Sequence, residues 1–308
     1  FERVPGLTEA AAEEGLDALG YMRKHGAFLI EESTYSKHEQ EGWPTPSGKQ
    51  EFYSNTMVEF GYPEHSIPHY RVKSHVHPDN LQGEDEYCLL PNFRLPQHIH
   101  SRSANAKWLV EIGHRNPIWI HPNDADKLGV SEGDLLKIET EIGWFVDKVW
   151  VTEGIKPGVV GCSHHIGRWR RSQDQGNKFL SNEVQIEDIG GGKQKMRTVS
   201  GISPWESEDP DTNRIWWRDG GVHQNITHAV QPDPISGAHC WLQKVRLSRP
   251  STDERYGDVE VDTEKSFEYY KRWNEMAKQR ETHPRGERRP LWMKRPLSPK
   301  KEHWYIED

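Results

Sequence analysis

Five short runs rich in β-branched and aromatic residues, at 87–90, 118–120, 135–140, 144–151 and 159–161, are packed into the middle of the chain with tight turns between them. Runs this short, bounded by Gly, Pro, Asn and Asp, are strands rather than helices, and their close spacing predicts a compact β-rich domain. One exception falls inside the series. Asn123-Asp124-Ala125-Asp126-Lys127-Leu128-Gly129 reads as a short capped helix stopped by its glycine, and Ser131-Glu132-Gly133-Asp134 as the turn that opens the next strand.

The flanks carry different signals. Residues 8–25 predict one helix, with Thr8 as N-cap and Gly26 as its C-terminal stop. Trp43-Pro44-Thr45-Pro46-Ser47-Gly48-Lys49 is turn-forming, and 61–80 holds several Pro and His without periodicity, so 1–84 reads as a connecting segment. Residues 171–222 are polar and Gly-rich and read as a long insertion in a domain spanning 85–250. Beyond it, 251–308 predicts a helix over 262–280, capped by Asp262 with Phe267, Tyr270, Trp273 and Ala277 near one face, followed by an extended basic arm. That arm suits wrapping of the protein or a neighbouring subunit better than nucleic-acid binding.

Composition sets the terms on which such a domain is stable. Only 33% of residues are hydrophobic, against 20 Pro, 26 Gly and 13 Trp, so burial must come from large aromatic side chains and from a partner chain or buried cofactor. A formal charge of −8 argues against a nucleic-acid surface covering the molecule. Cys88, Cys162 and Cys240 are spaced too widely for a zinc or iron–sulfur signature and are odd in number for a disulfide framework, so they read as buried thiols, and no metal ligand is assigned in this segment. No apolar run reaches the length that crosses a bilayer, which predicts a soluble chain, and the start at Phe1-Glu2-Arg3 suggests an internal piece of a longer polypeptide or a processed product.

Three clusters carry the chemistry. The first is Leu95-Pro96-Gln97-His98-Ile99-His100-Ser101-Arg102-Ser103-Ala104-Asn105-Ala106-Lys107-Trp108, followed by Asn116-Pro117. Its His, Ser, Arg and Asn side chains suit a polyanionic ligand rich in heteroatoms, because Arg and hydroxyls pair with phosphate while Asn both donates and accepts. The second is Gly161-Cys162-Ser163-His164-His165-Ile166-Gly167-Arg168-Trp169-Arg170, directly after a strand. Either histidine alone reads as structural; the pair followed by Gly-Arg-Trp points to a site. The third is His223-Gln224-Asn225-Ile226-Thr227, continuing to Asp233-Pro234-Ile235-Ser236-Gly237, where Asn225 and Thr227 suit either a heterocycle or a turn.

In this order the clusters resemble the C-terminal cofactor-binding part of the catalytic subunit in the dimethyl sulfoxide reductase (molybdopterin oxidoreductase) family. Thr45-Pro46-Ser47-Gly48-Lys49 is similar to the family's lead-in, and the match runs through His98 to Asn105, Asn116-Pro117, the stretch His121 to Asp134, and Asn225-x-Thr227. The resemblance implies a six-stranded double-psi β-barrel over 85–250 that closes over two pterin guanine dinucleotides carrying molybdenum or tungsten. It further implies cofactor contacts from His98, His100, Ser101, Arg102, Ser103, Asn105, Trp108, His164, His165, Arg168, Trp169, Asn225, Thr227 and Gln243, with His164 and His165 nearest the metal and thus the candidate catalytic pair. Asp124, Leu128, Gly133 and Asp134 need only cap and turn chemistry.

The resemblance also implies what other parts of such an enzyme supply: the metal ligand and any iron–sulfur cluster, from the N-terminal remainder of the catalytic subunit or another chain. An iron–sulfur electron-transfer subunit, with a possible membrane anchor at the periplasmic or cytoplasmic face of a prokaryotic membrane, would complete the assembly. The substrate would be a small sulfur, arsenic or nitrogen oxyanion. Two other classes compete: a stand-alone cofactor-binding subunit of a split enzyme, marked by a copurifying chain with the metal ligand, and a cofactor-free structural subunit of a respiratory complex, which would bind no nucleotide.

Overall fold

The computed structural model describes residues 6–28, 48–59, 62–69, 85–91, 106–113, 115–174, 180–203, 218–229 and 241–276, with isolated positions that include His100 and His239. Residues Tyr70–Lys278 contain one compact unit, and the segment before them belongs to a second. Ten strands follow in chain order: β1 Glu86–Leu90, β2 Ile118–Ile120, β3 Leu135–Glu139, β4 Gly143–Val151, β5 Val159–Gly161, β6 Trp169–Arg171, β7 Asn182–Gly190, β8 Lys193–Ser200, β9 Gln243–Ser248 and β10 Val259–Asp262.

Six of them close on themselves. The hydrogen-bonded order β2-β5-β1-β9-β3-β4 returns to β2 through a parallel β2–β4 pairing, so the mainly β chain contains the closed six-stranded barrel expected of a double-psi fold. The parallel pairs in this ring are β1 with β5, in register Leu89 to Val160, and β2 with β4, in register Trp119 to Trp150. Strand β4 is long enough to serve two neighbours along one edge. Val149 to Val151 pair with β2 and close the barrel, while Gly143 to Phe145 pair with β10 and start a sheet extension through β8 and β7 to β6.

Alternation fixes which side chains fill the ring. Along β3, Leu136 and Ile138 are fully buried while Lys137 and Glu139 turn outward, and the same filling comes from Leu89, Ile118, Ile120, Phe145, Val149 and Val160. Burying each such side chain contributes about 1.5–3 kcal/mol before entropy is counted. The expected short helix forms as Pro122–Leu128 and packs Ala125 and Leu128 on the core, with the His121 ring accepting from the Asn123 N–H and Gly129 ending it in the left-handed conformation.

Two expectations are corrected. The expected helix over 8–25 is two, Leu7–Glu13 and Ala18–His25: Gly15 takes a positive φ of 69°, and Asp17 restarts the helix by accepting from the Gly20 N–H. Thr8 lies inside the first helix, whose N-cap is Gly6. The polar insertion 171–222 contains the β7–β8 hairpin, turned at Gly190-Gly191-Gly192, which Val184, Met196 and the partly buried Ile186 anchor to the core. The helix expected at the end forms as Thr263–Met276, with the Lys265 N–H on the Asp262 carboxylate at 2.8 Å. Its Phe267 and Tyr270 rings stack but stay exposed; Ala277 and the basic arm lie outside the described residues.

Candidate functional site

The site is built where the chain leaves β5. Residues 162–168 run across the barrel's end to β6, and a second segment, 220–225, lies alongside. Backbone bonds hold part of the arrangement, with the Cys162 and His164 N–H groups on the Leu90 and Pro91 carbonyls and the Gly167 N–H on the Gly220 carbonyl, and side-chain amides supply the rest. Asn116, 1% exposed, donates from Nδ2 to the Ser163 carbonyl at 2.8 Å and to the Val222 carbonyl at 2.9 Å, and its Oδ1 accepts from the Val222 N–H at 2.8 Å. Asn182 accepts from the Gly220 N–H and donates to the Gly221 carbonyl, and Gln224 donates to the Cys162 carbonyl at 2.6 Å.

This tight bundling explains two glycines. A Cβ on Gly167, at φ 92°, would lie 2.3 Å from the Val222 carbonyl oxygen, and one on Gly221, at φ 77°, would lie 2.3 Å from Asn116 Oδ1. Cys162 is fully buried and donates to the Asn116 carbonyl; burial pushes its thiol well above the ordinary range, with the nearby Asp147 adding to the rise, so it is an inert core thiol as expected.

Held this way, the two segments line a cavity of about 770 Å³, into which His100, His164, His165, Arg168, Trp169, Arg170, His223 and Asn225 converge. His164 is buried, and its Nδ1 lies 2.7 Å from the Pro91 carbonyl. A carbonyl only accepts, so Nδ1 carries a proton. The rings of His100, His164 and His165 are mutually 4.3–4.9 Å apart, and Trp241 stacks at 5.0 Å from His164. Among the described residues His100 is the non-glycine at positive φ, 42°.

The charges suit an anion. Arg168 is half-buried, and desolvation lowers its pKa; Arg170 is buried and reaches Glu183 at 3.0 Å. His223 and His239 are held below the usual imidazole range by burial, and His228 is held down to about 3 by burial and by the neighbouring His239, His164 and His223. Burial thus favours the neutral form of His223, His228 and His239, and Arg168 and Arg170 bring cationic groups to the cavity.

The donor set was tested against a pterin dinucleotide. Asn225 Oδ1 and Arg170 Nε are buried at the cavity without a hydrogen-bond partner among the described residues. One wants an N–H donor of the kind a pterin or guanine edge presents, and the other an oxyanion; with Arg168 beside them, the residues fit the group.

The structure separates the expected residues. His100, His164, His165, Arg168, Trp169 and Asn225 meet at the cavity. Thr227 is fully buried, with its hydroxyl on the Gln224 carbonyl, and Gln243, 1% exposed, lies within β9. Neither lines the cavity. Trp108 sits exposed on the helix Lys107–Ile112 and does not line the cavity either. His98, Ser101, Arg102, Ser103 and Asn105 lie outside the described residues. Sequence reasoning missed Asn182 and the clamp role of Asn116 and Gln224; a polar amide beside a strand end was the available signal.

Residues 89–190 match the family model described as Molydopterin dinucleotide binding domain. The chain carries a molybdopterin dinucleotide-binding domain over these residues. It is 25% identical to the molybdopterin-containing subunit of an arsenate respiratory reductase of Chrysiogenes arsenatis, over 49% of this chain and 21% of that protein. It is 31% identical to a trimethylamine-N-oxide reductase of Haemophilus influenzae, over 41% of this chain and 15% of that one. A third relative is the molybdopterin-containing subunit of a thiosulfate reductase of Salmonella typhimurium, 31% identical over 46% and 17% respectively. The chain thus spans about a fifth or less of the length of the relatives it matches.

Proposed function

We propose that this chain is the cofactor-closing part of the catalytic subunit of a molybdenum or tungsten bis(pterin guanine dinucleotide) oxidoreductase acting on a small sulfur, arsenic or nitrogen oxyanion. The observation that carries the reading is the convergence of Arg168, Arg170, the imidazole cluster and the orphaned Asn225 oxygen in one cavity of a molybdopterin dinucleotide-binding domain. Relatives named for arsenate, thiosulfate and trimethylamine-N-oxide reduction support the substrate class.

In this reading Arg168 and Arg170 pair with phosphate oxygens, Asn225 reads a pterin or guanine edge, and Trp169 offers an aromatic face at the cavity. His164, with its proton fixed on Nδ1 by Pro91, presents an accepting Nε2, and His165 and His100 flank it. Ser101, Arg102, Ser103 and Asn105 would add phosphate contacts from the preceding segment. When bound, the group supplies the redox-active metal centre, and the protein supplies orientation and electrostatics. The electron partner in this reading is an iron–sulfur subunit.

The test is retention of guanine nucleotide by the natively purified assembly. Arg168→Ala removes a charge-assisted contact of about 1.5–3 kcal/mol, so nucleotide should be lost roughly tenfold to a hundredfold more readily on dialysis, with Arg168→Lys intermediate because it keeps the charge without the fork. Equal retention in wild type and Arg168→Ala would remove Arg168 from the cofactor site.

A further inference from the structure

We propose that His100, His164 and His165 form a site for one divalent cation of the zinc class, distinct in its ligands from a pterin-held metal. One nitrogen from each ring can be chosen so that the three lie within 4.8 Å of one another. A tetrahedral ion with metal–nitrogen bonds of about 2.0–2.1 Å needs them roughly 3.3–3.5 Å apart, so small side-chain movements close the site. His164 and His165 are 7% and 4% exposed and fixed by packing, whereas His100 is exposed and can supply that movement.

The chemistry favours a borderline metal. Three imidazoles and no carboxylate or thiolate suit Zn²⁺, Co²⁺, Ni²⁺ or Cu²⁺, and not Mg²⁺ or Ca²⁺. His164 already carries the outer contact that metal-binding histidines commonly have, with Nδ1–H on the Pro91 carbonyl at 2.7 Å and the lone pair directed through Nε2. The left-handed backbone at His100 is a cost that a bound ion would offset, since it brings that ring within 4.5 Å of His165 and 4.9 Å of His164. Three protein ligands leave a fourth position of a tetrahedral ion for water or for an anion in the cavity the same rings line. Arg168 in that cavity opposes the cation, and an anionic fourth ligand offsets the opposition.

The ion uses the same imidazoles that the pterin reading sets beside the cofactor, so it is a state of the chain without cofactor; its test reads metal binding and the other reads guanine nucleotide, so the two can fail separately. The experiment is a titration of the chelator-stripped 308-residue chain with Co²⁺, read by visible absorption, with Zn²⁺ calorimetry alongside and folding followed by circular dichroism. One equivalent should bind with a tetrahedral cobalt spectrum. His100→Ala, at an exposed position, and His164→Asn, which keeps a donor for the Pro91 carbonyl but lacks Nε2, should each weaken binding by at least roughly tenfold, while His69→Ala leaves it unchanged. Zinc content of the purified wild type and His100→Ala chains provides a second readout that needs no refolding after stripping. Binding equal in wild type and His100→Ala, or no stoichiometric binding by wild type, overturns the proposal.

Discussion

Asn116 offers the sharpest test of how the site is held. Its carboxamide joins the end of β5 to residue 222 through the Ser163 carbonyl, the Val222 carbonyl and the Val222 N–H, with a longer contact to the Cys162 sulfur at 3.8 Å. In Asn116→Ala the Val222 carbonyl still accepts from the Gln224 N–H at 3.1 Å, but the Val222 N–H and the Ser163 carbonyl each lose a buried partner. At about 1–3 kcal/mol for each of the two buried groups left unmade, the expected loss is about 2–6 kcal/mol. Asn116→Asp should be no better, because its carboxylate keeps the acceptor for Val222 but faces two carbonyl oxygens without a proton to give. Urea denaturation gives the value, with an unchanged slope showing that the same surface unfolds. A loss below about 1 kcal/mol in Asn116→Ala, or an Asn116→Asp chain as stable as wild type, would refute the clamp.

Further predictions follow from the buried titratable groups and the core. His228, held down to about 3 against an ordinary 6.5, contributes stability that is present above pH 6.5 and lost as pH falls toward 3. Relative to His228→Gln, wild type should lose about 2 kcal/mol between pH 7 and pH 5, and parallel pH profiles would contradict this. Asp147 has the opposite sign: burial raises its pKa, so its contribution is present below 3.8 and is lost as pH rises through the raised folded value. Asp147→Asn should therefore gain on wild type as pH increases, as seen in the urea midpoint, and no gain would refute the assignment. Ile138→Ala, at a fully buried position in the barrel, should cost about 2–5 kcal/mol by the same assay, and a cost under about 1 would place Ile138 outside the core.

How much of this was legible depended on the period of the pattern. Strands β2 and β5 fall at their expected bounds and β1, β3 and β4 within one residue, because each buries one face or both in the barrel and so shows apolar spacing. The β7–β8 hairpin was missed because its side chains, from Glu187 to Gln194, are almost all solvated and their alternation carries no hydrophobic signal. Strand β9 keeps its alternation at Gln243, Val245 and Leu247, but a buried Gln at its start hides the run. The helix break at Gly15 was overridden by the surrounding Ala and Glu. At the site, the adjacent His164 and His165 and the following Gly167-Arg168-Trp169 were readable as chemistry, whereas the burial of Thr227 and Gln243 was not, since a polar side chain in a motif looks the same whether it meets a ligand or another strand. The amide clamps were invisible because they join residues 38 to 106 positions apart.

The most direct test of the central claim is metal and nucleotide analysis of the natively purified assembly, by elemental mass spectrometry together with guanine nucleotide released by acid. The account predicts molybdenum or tungsten with about two guanine nucleotides per metal, as expected when the cofactor brings the redox chemistry and the protein its setting. An assembly containing neither molybdenum nor tungsten and releasing no guanine nucleotide would contradict it and leave a barrel kept for structure alone.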